Sequence, residues 1–520
     1  MPSLSTQLLV IGGGATGLGV AWDACLRGLK VVLVEQGDIG QGTSGRYHGL
    51  LHSGGRYVIS DPASARDCAR ENQVLRRLVP HTIEDTGGFF VSTHLDPSDF
   101  ADRWAQAAGE AGVEASEIAV SEARRAEPLL TSRLDRVFAV RDASLDSFDL
   151  LHALVHAIRG AGGQVWLRHR VDRLIRQGDR ILGAEVYALR SGESRTVHAD
   201  LVVNAAGPWA GEVAQLAGVD LPVALGKGTM IAMATRLVNT VVNRLKPPSD
   251  GDIIVPVGTV AVLGTTDVPV DHPTDLTIEP WEVDLLLSEA EALIPNISSR
   301  RALRAWAGVR PLVDPSHLGA QADTRHMPRA HLILDHANRH ALAGLLSVMG
   351  GKLTTFRLMA EQTLDLACQH LGHQALCRTA DTPLETHVPH QYYALPGRLS
   401  ELEHTPRNQP PFVVCECETV TRQQIEHALQ DSDTIDLDDV RRDLRLGMGP
   451  CQAGFCAYRA AGIVQARSPA PAHPWLREFL EERWRGVQPL AWGSGLRQME
   501  LTRRIYLELL ATVPDRQEPA

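Results

Sequence analysis

Two pairs of cysteines stand close together late in the chain: Cys415-Glu416-Cys417 and, after 33 intervening residues, Cys451-Gln452-Ala453-Gly454-Phe455-Cys456. Four thiolates can hold either a two-iron two-sulfur cluster or a structural zinc ion. Zinc knuckles favour pairs separated by two to four residues, so the tight C-x-C spacing favours the iron–sulfur cluster, with zinc as the alternative. The other four of the eight cysteines, Cys25, Cys68, Cys368 and Cys377, are scattered. That distribution is too sparse for a secreted disulfide framework and points to a reducing, cytoplasmic setting.

A second constellation opens the chain. Leu8-Leu9-Val10-Ile11 reads as a buried strand and runs into Gly12-Gly13-Gly14-Ala15-Thr16-Gly17, which satisfies G-x-G-x-x-G. A helical stretch follows to about Arg27, then a second buried strand, Val31–Val34, closed by Glu35. In this order the glycines allow a backbone to approach a pyrophosphate, and the helix N-terminus offers N–H groups and partial positive charge. The acid at the end of the second strand accepts hydrogen bonds from a ribose. Another buried strand ends in small residues at Asn204-Ala205-Ala206-Gly207, and no second complete glycine motif is present. FAD is therefore favoured over a nicotinamide dinucleotide.

Two further stretches carry polar chemistry. Gly40 to Tyr57 packs six glycines, Thr43, Ser44, His48, His52, Arg46 and Arg56 into one segment, a composition that is costly to order unless something binds there. Later, Arg310 stands between an apolar run and Pro311, and Gly350-Gly351-Lys352-Leu353-Thr354 joins the strand Leu345–Met349 to a helix over about 356–371. That junction offers backbone donors and a helix N-terminus to an electron-rich group such as a flavin carbonyl. Any one of these basic residues alone would read as a solvated surface charge.

The elements that must position these groups belong to a soluble α/β protein. The chain has 520 residues, enough for two to four domains, with 44% hydrophobic and 22% charged residues. Its net charge of −11 argues against a nucleic-acid partner. No run approaches a membrane-spanning length, and the N-terminus reads as lacking a signal peptide. Residues 371–411, rich in His, Pro and Thr, read as a linker. Helical patterns lie at Thr421–Leu429 and Asp436–Leu444. After a proline-rich break at Pro469–Pro474, further helices are expected at Trp475–Trp484 and Leu496–Leu510, with a frayed tail over 514–520.

With these motifs in place, the sequence resembles the FAD-dependent glycerol-3-phosphate dehydrogenase family along nearly its whole length, and within it the A-type subunits of the anaerobic bacterial enzymes. The resemblance rests on Gly12–Gly17, on His-Gly-Leu-Leu-His-Ser-Gly at 48–54, on Gly-Val-Arg-Pro-Leu at 308–312 and on Gly-Gly-Lys-Leu-Thr at 350–354. It also rests on Cys-Glu-Cys-Glu at 415–418, Gly-Met-Gly-Pro-Cys-Gln at 447–452 and Arg-Trp-Arg-Gly-Val-Gln-Pro at 483–489. The cysteine region is similar to the bacterioferritin-associated-ferredoxin type of [2Fe-2S] domain, which the aerobic single-subunit relatives lack.

The resemblance implies a Rossmann-like FAD-binding domain of the glycine-oxidase/DAAO type with an inserted α+β substrate domain, followed by a small helical C-terminal 2Fe-2S domain. The expected division is 1–370 for the oxidoreductase domain, with FAD segments near 1–80, 145–215 and 335–370 and substrate segments near 81–144 and 216–334. A linker would follow over 371–411, then a cluster domain over 412–468 and a helical segment over 469–520. FAD contacts are implied at Gly12, Gly14, Ala15, Thr16, Gly17, Glu35, Gln36, Thr43, Ser44, Arg46, His48, Gly49, Leu50, Val171, Ala206, Gly207, Gly351, Lys352, Leu353 and Thr354. Cluster ligation is implied at Cys415, Cys417, Cys451 and Cys456.

The implied reaction is oxidation of sn-glycerol 3-phosphate to dihydroxyacetone phosphate with hydride transfer to the flavin. Arg56 and Arg329 match phosphate-binding positions, Tyr57 lines the same pocket, and Arg310 and Lys352 stand near the reacting carbon. The alternative is another small hydroxy acid or amine oxidised on the same scaffold. A histidine of the aerobic relatives falls at Met230 here, which leaves His52 as the expected base, and Tyr47 replaces a smaller polar residue. The implied partners are a companion flavoprotein-like subunit together with a membrane-attached iron–sulfur subunit that reduces menaquinone. This chain would then be cytoplasmic and peripheral on the inner face of the membrane.

Overall fold

The computed structural model describes residues 3–313, 330–386, 393–404, 412–431, 434, 436–467, 473–491 and 496–509. Among them, no helix is long and apolar enough to cross a membrane.

The opening strand extends over Ser3–Ile11, and its alternate side chains enter two different cores. Leu8 and Val10 face a helical layer with Leu33, Leu18, Leu154 and Phe356, while Leu9 and Ile11 face Val32, Val34, Val186 and Val202. Leu8–Ile11, covered on both faces, must be apolar at each position, which is why these four residues lack polar alternation. Its neighbours form a parallel sheet in the order Gln164–Trp166, Val31–Val34, Ser3–Ile11, Ser194–Asn204 and Leu345–Gly350. Helices Ala15–Leu26, Ser147–Gly160 and Phe356–Leu371 bury their apolar faces in one of the two cores.

One edge of Ser194–Asn204 changes partner along its length. Its first half pairs antiparallel with Arg180–Ala188, and residues 202–204 pair parallel with Leu345–Gly350. This switch lets a hairpin, His169–Gln177 with Arg180–Ala188, cover the face opposite the helices.

A second, nine-stranded sheet is built from 88–140 and 223–313. Its longest strand pairing joins Val223–Met233 to Ala302–Val313 along the full length of the former, which also carries Val260–Gly264 at its end. Helix Pro280–Glu291 packs Val283, Leu286 and Leu287 against it. A small sheet of Leu50–Leu51, Ala143–Leu145 and Ile83–Glu84 joins the two layers.

The cysteine region has its own core. A hairpin of Val413–Cys415 and Val420–Thr421 precedes helices Arg422–Ala428, Leu437–Leu444 and Cys456–Arg467, with Val414, Ile425, Val440, Leu444, Ala460 and Val464 buried together. The two expected helices here lose only their end residues, because Thr421 and Asp436 act as N-caps and lie just outside the helical turns. Helix His473–Val487 begins inside the proline-rich break, with Pro474 in its first turn, where a missing N–H costs nothing. Its residues serve both cores: Leu476, Phe479 and Leu480 pack on the cysteine helices, and Val487 packs under the nine-stranded sheet. Leu496–Arg504 continues into a wider-wound turn at Ile505–Leu509. Leu510 and the tail expected at 514–520 lie outside the described residues.

The expected linker differs from the structure. Leu384 is buried against the FAD-side core, and Leu395–His404 is a helix. Arg398 of that helix donates to Glu418 at 2.8 Å. Within the described part of this segment, helix Leu395–His404 is held by a charged anchor, which a search for hydrophobic repeats does not detect, while 387–392 and 405–411 lie outside the described residues.

Candidate active site and cluster domain

The glycine motif forms a tight turn under steric necessity. Gly12 has φ of +112°, and a Cβ there would lie 2.5 Å from the Ala205 carbonyl oxygen. A Cβ on Gly17 would lie 1.9 Å from the Gly12 carbonyl oxygen, so the helix can start this close only with glycine at that position. Gly14 is the helix N-cap and supplies no side-chain cap, and the first turn has no acid, which leaves that end open to a phosphate. Ser44 reaches across to accept from the Ala15 N–H at 3.0 Å. Glu35 accepts from the N–H groups of Gly13 and Gly37 at 2.6 and 2.7 Å. Its burial raises its pKa, which those donors oppose.

This turn opens onto a cavity of about 1720 Å³. Every described residue expected to contact FAD lines it, from Gly12, Gly14, Ala15 and Thr16 through Glu35 and Gln36, Thr43 to Leu50, Val171, Ala206 and Gly207 to Gly351–Thr354, with the exception of Gly17. Gly17 acts from beneath, through the close approach to Gly12. The open helix end, the glycine cradle and the carboxylate at the strand end fit a dinucleotide.

The same cavity is lined by His52, Arg56, Tyr57, Arg310 and Lys352. These come from three separate stretches of the chain and meet as a connected group. The Lys352 ammonium sits 4.4 Å from the centre of the Tyr57 ring, and that ring lies 5.5 Å from His52. His52 lies 6.1 Å from His48, edge to face. Burial, then Arg56 and Arg310, push the His48 pKa down to about 3. Burial, His48, Arg56 and Lys352 hold His52 well below the usual imidazole range. Both rings are therefore neutral at physiological pH, the form in which His52 can accept a proton. Arg329 lies outside the described residues.

Sequence reasoning missed the carboxylates that hold the arginines. Arg56 donates to Asp252 at 2.5 Å and to the Ser249 carbonyl at 3.3 Å. Arg310 donates to Asp267 at 3.0 Å, to Thr265 at 2.5 Å and to the Thr266 carbonyl at 3.2 Å. The only signal was an acid at each strand edge, in Gly251-Asp252 and Thr266-Asp267. Met230 is buried within the sheet, opposite Gly264 and Trp306. Tyr47 donates to the Leu145 carbonyl, so its added bulk is directed toward the small joining sheet.

In the cysteine region the thiols influence one another in succession: Cys415 and Cys456, Cys456 and Cys451, and Cys451 and Cys417 shift each other's protonation. The backbone N–H groups of Gly447 and Glu418 lower the pKa of the Cys415 thiol, and those of Phe455 and Ala453 lower that of Cys451. Such donors stabilise thiolates and tune the potential of a cluster they hold. Gln452 and Ala453 take positive φ to wrap the loop between the second pair. Among the described residues, no group of three or more His, Cys, Asp or Glu side chains is arranged to hold a metal ion. Four thiols, two from each motif, are a donor set whose chemistry fits a binuclear cluster.

The cluster region is fastened to the dinucleotide domain by buried ions. Arg442 pairs with Asp38, Arg168 with Asp439 at 2.6 Å, and His152 with Asp443 at 2.7 Å. Arg445 bridges Asp146, the N-cap of Ser147–Gly160, and Glu418, the residue after Cys417.

A dinucleotide cradle opening onto a basic pocket, with a thiol-rich domain docked beside it, defines a flavin-dependent oxidoreductase that carries an electron-transfer domain. Residues 7–357 match the FAD dependent oxidoreductase family, and residues 413–466 match the BFD-like [2Fe-2S] binding domain. The chain belongs to the family of A-type subunits of anaerobic glycerol-3-phosphate dehydrogenase, being 40% identical to the Escherichia coli K12 member over 97% of this chain and 96% of that one. It is 39% identical to the A1 member from Haloferax volcanii over 99% of this chain and 92% of that one. Among solved structures, glycine oxidase from Bacillus cereus shares the fold, with a TM-score of 0.54 and 21% identity over 74% of this chain and 99% of that one. The protein is thus an FAD enzyme of the glycine-oxidase fold with a largely helical [2Fe-2S] domain.

Proposed function

We propose that this chain oxidises sn-glycerol 3-phosphate to dihydroxyacetone phosphate and passes the electrons through its cluster to partner subunits and on to a quinone. The observation that carries this reading is the convergence of Arg56, Arg310, Lys352 and neutral His52 on the cavity whose far end is the dinucleotide cradle. Its relatives are named for this dehydrogenase, and those names describe one component of a multi-subunit enzyme.

Arg56 grips the substrate phosphate, a task that a guanidinium performs through paired hydrogen bonds. Asp252 holds it in position. Arg329 is proposed as the second phosphate ligand. His52 takes the proton from the C2 hydroxyl, and Arg310 and Lys352 stabilise the oxyanion that develops there. When bound, FAD supplies the acceptor for the hydride leaving C2, and the cluster supplies a one-electron outlet. The oxidoreductase domain is assigned to 1–370, the cluster domain to 412–468 and the capping helices to 469–520. Docking on a companion flavoprotein-like partner, with a membrane-attached iron–sulfur partner beyond it, would place the chain on the cytoplasmic face of the membrane.

Anaerobic mixing of the FAD-loaded protein with sn-glycerol 3-phosphate tests the reading, with glycerol as control. Bleaching of the flavin by the phosphate ester alone is the expected result. Bleaching by an unphosphorylated hydroxy acid and not by the ester would overturn it.

A further inference from the structure

Arg310 lies on a strand whose neighbour has no side chains where the guanidinium crosses it. Val223–Met233 pairs with Ala302–Val313 so that Gly226 stands opposite Arg310 and Gly228 opposite Gly308. A Cβ on Gly228 would lie 2.4 Å from Arg310 Nη2, and a Cβ on Gly226 would lie 2.7 Å from Asp267 Oδ1. Both distances are closer than van der Waals contact permits. The Asp267–Arg310 pair can therefore rest on this strand only because both positions are glycine. Alternate residues of a strand face opposite sides, so Lys227 and Thr229 point away from that pair.

On the other side, Lys227 and Thr229 meet Glu282, a fully buried residue of helix Pro280–Glu291. Glu282 Oε1 accepts from the hydroxyls of Thr229 and Thr266 at 2.7 and 2.8 Å. Its Oε2 accepts from the Lys227 ammonium at 2.9 Å and from the Glu279 N–H at 3.0 Å. The Thr266 hydroxyl also accepts from the Thr229 N–H at 2.9 Å. Burial alone would raise the Glu282 pKa, but these donors hold it below the usual carboxylate range. A buried pair such as Lys227–Glu282 adds little net stability over apolar residues of the same volume, so its effect lies in what it holds. It holds Thr266, whose carbonyl accepts from Arg310 at 3.2 Å; the flanking Thr265 and Asp267 accept from the same guanidinium at 2.5 and 3.0 Å.

We propose that Gly228 and Glu282 are positioning residues for Arg310. The glycine clears the place in which the guanidinium lies, and the carboxylate fixes the segment Thr265–Asp267 that orients it toward the reacting carbon. This inference rests on the reading that Arg310 stabilises the oxyanion developing at C2. Such stabilisation depends on donors fixed before the reaction begins, so displacing Arg310 should slow the reaction and leave phosphate binding, the task of Arg56, in place.

Stopped-flow bleaching of the flavin by sn-glycerol 3-phosphate, in the full-length protein loaded with FAD and cluster, tests this with G228A, E282Q, R310A and the doubles G228A/R310A and E282Q/R310A. At saturating substrate G228A should slow bleaching about 100-fold and E282Q about tenfold, with full FAD content. The substrate concentration giving half the maximal rate should stay within about twofold of the native value. On the R310A background each change should cost less than about twofold further, because its effect passes through Arg310; a merely structural role would add its loss in full. G228A carries the test if E282Q does not fold, since the atoms nearest its added methyl all belong to the end of the Arg310 side chain. A native rate in G228A, or a loss that adds in full to that of R310A, overturns the inference. A native rate in R310A overturns the role of Arg310 and the inference with it. If another hydroxy acid bleaches the native flavin and the ester does not, the dehydrogenase reading fails alone, and the same comparison is made with that acid.

Discussion

Under the proposed function Arg56 meets the substrate phosphate already paired, and the pairing decides what a mutation does. Asp252 is buried and reaches the guanidinium at 2.5 Å, so it fixes the angle of the fork presented to the phosphate. Replacing Asp252 by Asn keeps the shape and removes the charge. A lost charge-assisted hydrogen bond of about 2 kcal/mol should raise the KM about tenfold or more. In steady-state assays kcat should hold within about twofold, because the reacting carbon is served by other residues. Equal losses in kcat and in kcat/KM would instead place Arg56 at the reacting centre. The arginines and lysine were legible in the sequence, since their types and glycine-rich settings mark them. Asp252 and Asp267 were not, because an acid at the end of a strand looks the same whether it faces solvent or a guanidinium.

At the level of elements, the strand–glycine–helix units were legible because their periods are strong. The second unit places a helix over Phe356–Leu371, where the apolar pattern predicts one. The helix Leu395–His404 was not, since Arg398 and Glu418 hold it in place of an apolar stripe. Charged contacts also join helix Ser147–Gly160 to Leu437–Leu444 through His152 and Asp443, 2.7 Å apart. Burial alone would lower the His152 pKa, but the Asp443 carboxylate outweighs it and pushes it up to about 9. The folded state therefore binds the proton more tightly than the unfolded chain, whose imidazole titrates near about 6.5. Stability from this pair is fully present below pH of about 6.5 and is lost as pH rises through about 9, with an upper bound of about 3 kcal/mol. Melting temperatures measured from pH 6 to pH 10 should fall on the alkaline side, and H152Q should flatten that fall. An unchanged slope in H152Q would show that other groups govern it.

For the whole molecule, the question is how two cores act as one enzyme. Arg445 is the joint: it pairs with Glu418 at 3.0 Å, beside Cys417, and with Asp146 at 3.1 Å, at the N-cap of a helix lining the FAD cavity. Glu418 stays ionised despite its burial, because Arg445 and Arg398 hold its pKa below the usual carboxylate range. Arg445→Met would leave Asp146 buried with a partner missing, a change that costs about 3–5 kcal/mol when a buried pair is broken. The loss should fall on docking of the cluster domain and spare the substrate pocket. In stopped-flow measurements, flavin bleaching by substrate should stay within about twofold, while reduction of a one-electron dye through the cluster drops about tenfold or more. Parallel loss of both rates would mean that Arg445 supports the FAD domain itself.

The sequence by itself determined what is local. It contained the dinucleotide turn, whose glycines are demanded by backbone contacts with the residues beside them, and the two cysteine pairs, whose spacing is a covalent fact. It also marked the basic residues of the pocket by type. Tertiary structure alone decided which distant charges meet: Asp252 with Arg56, and Arg445 with both Glu418 and Asp146. Ion pairs carry no period along the chain. Their partners are selected by packing and desolvation, and they become visible only when the sheets and helices have closed around them.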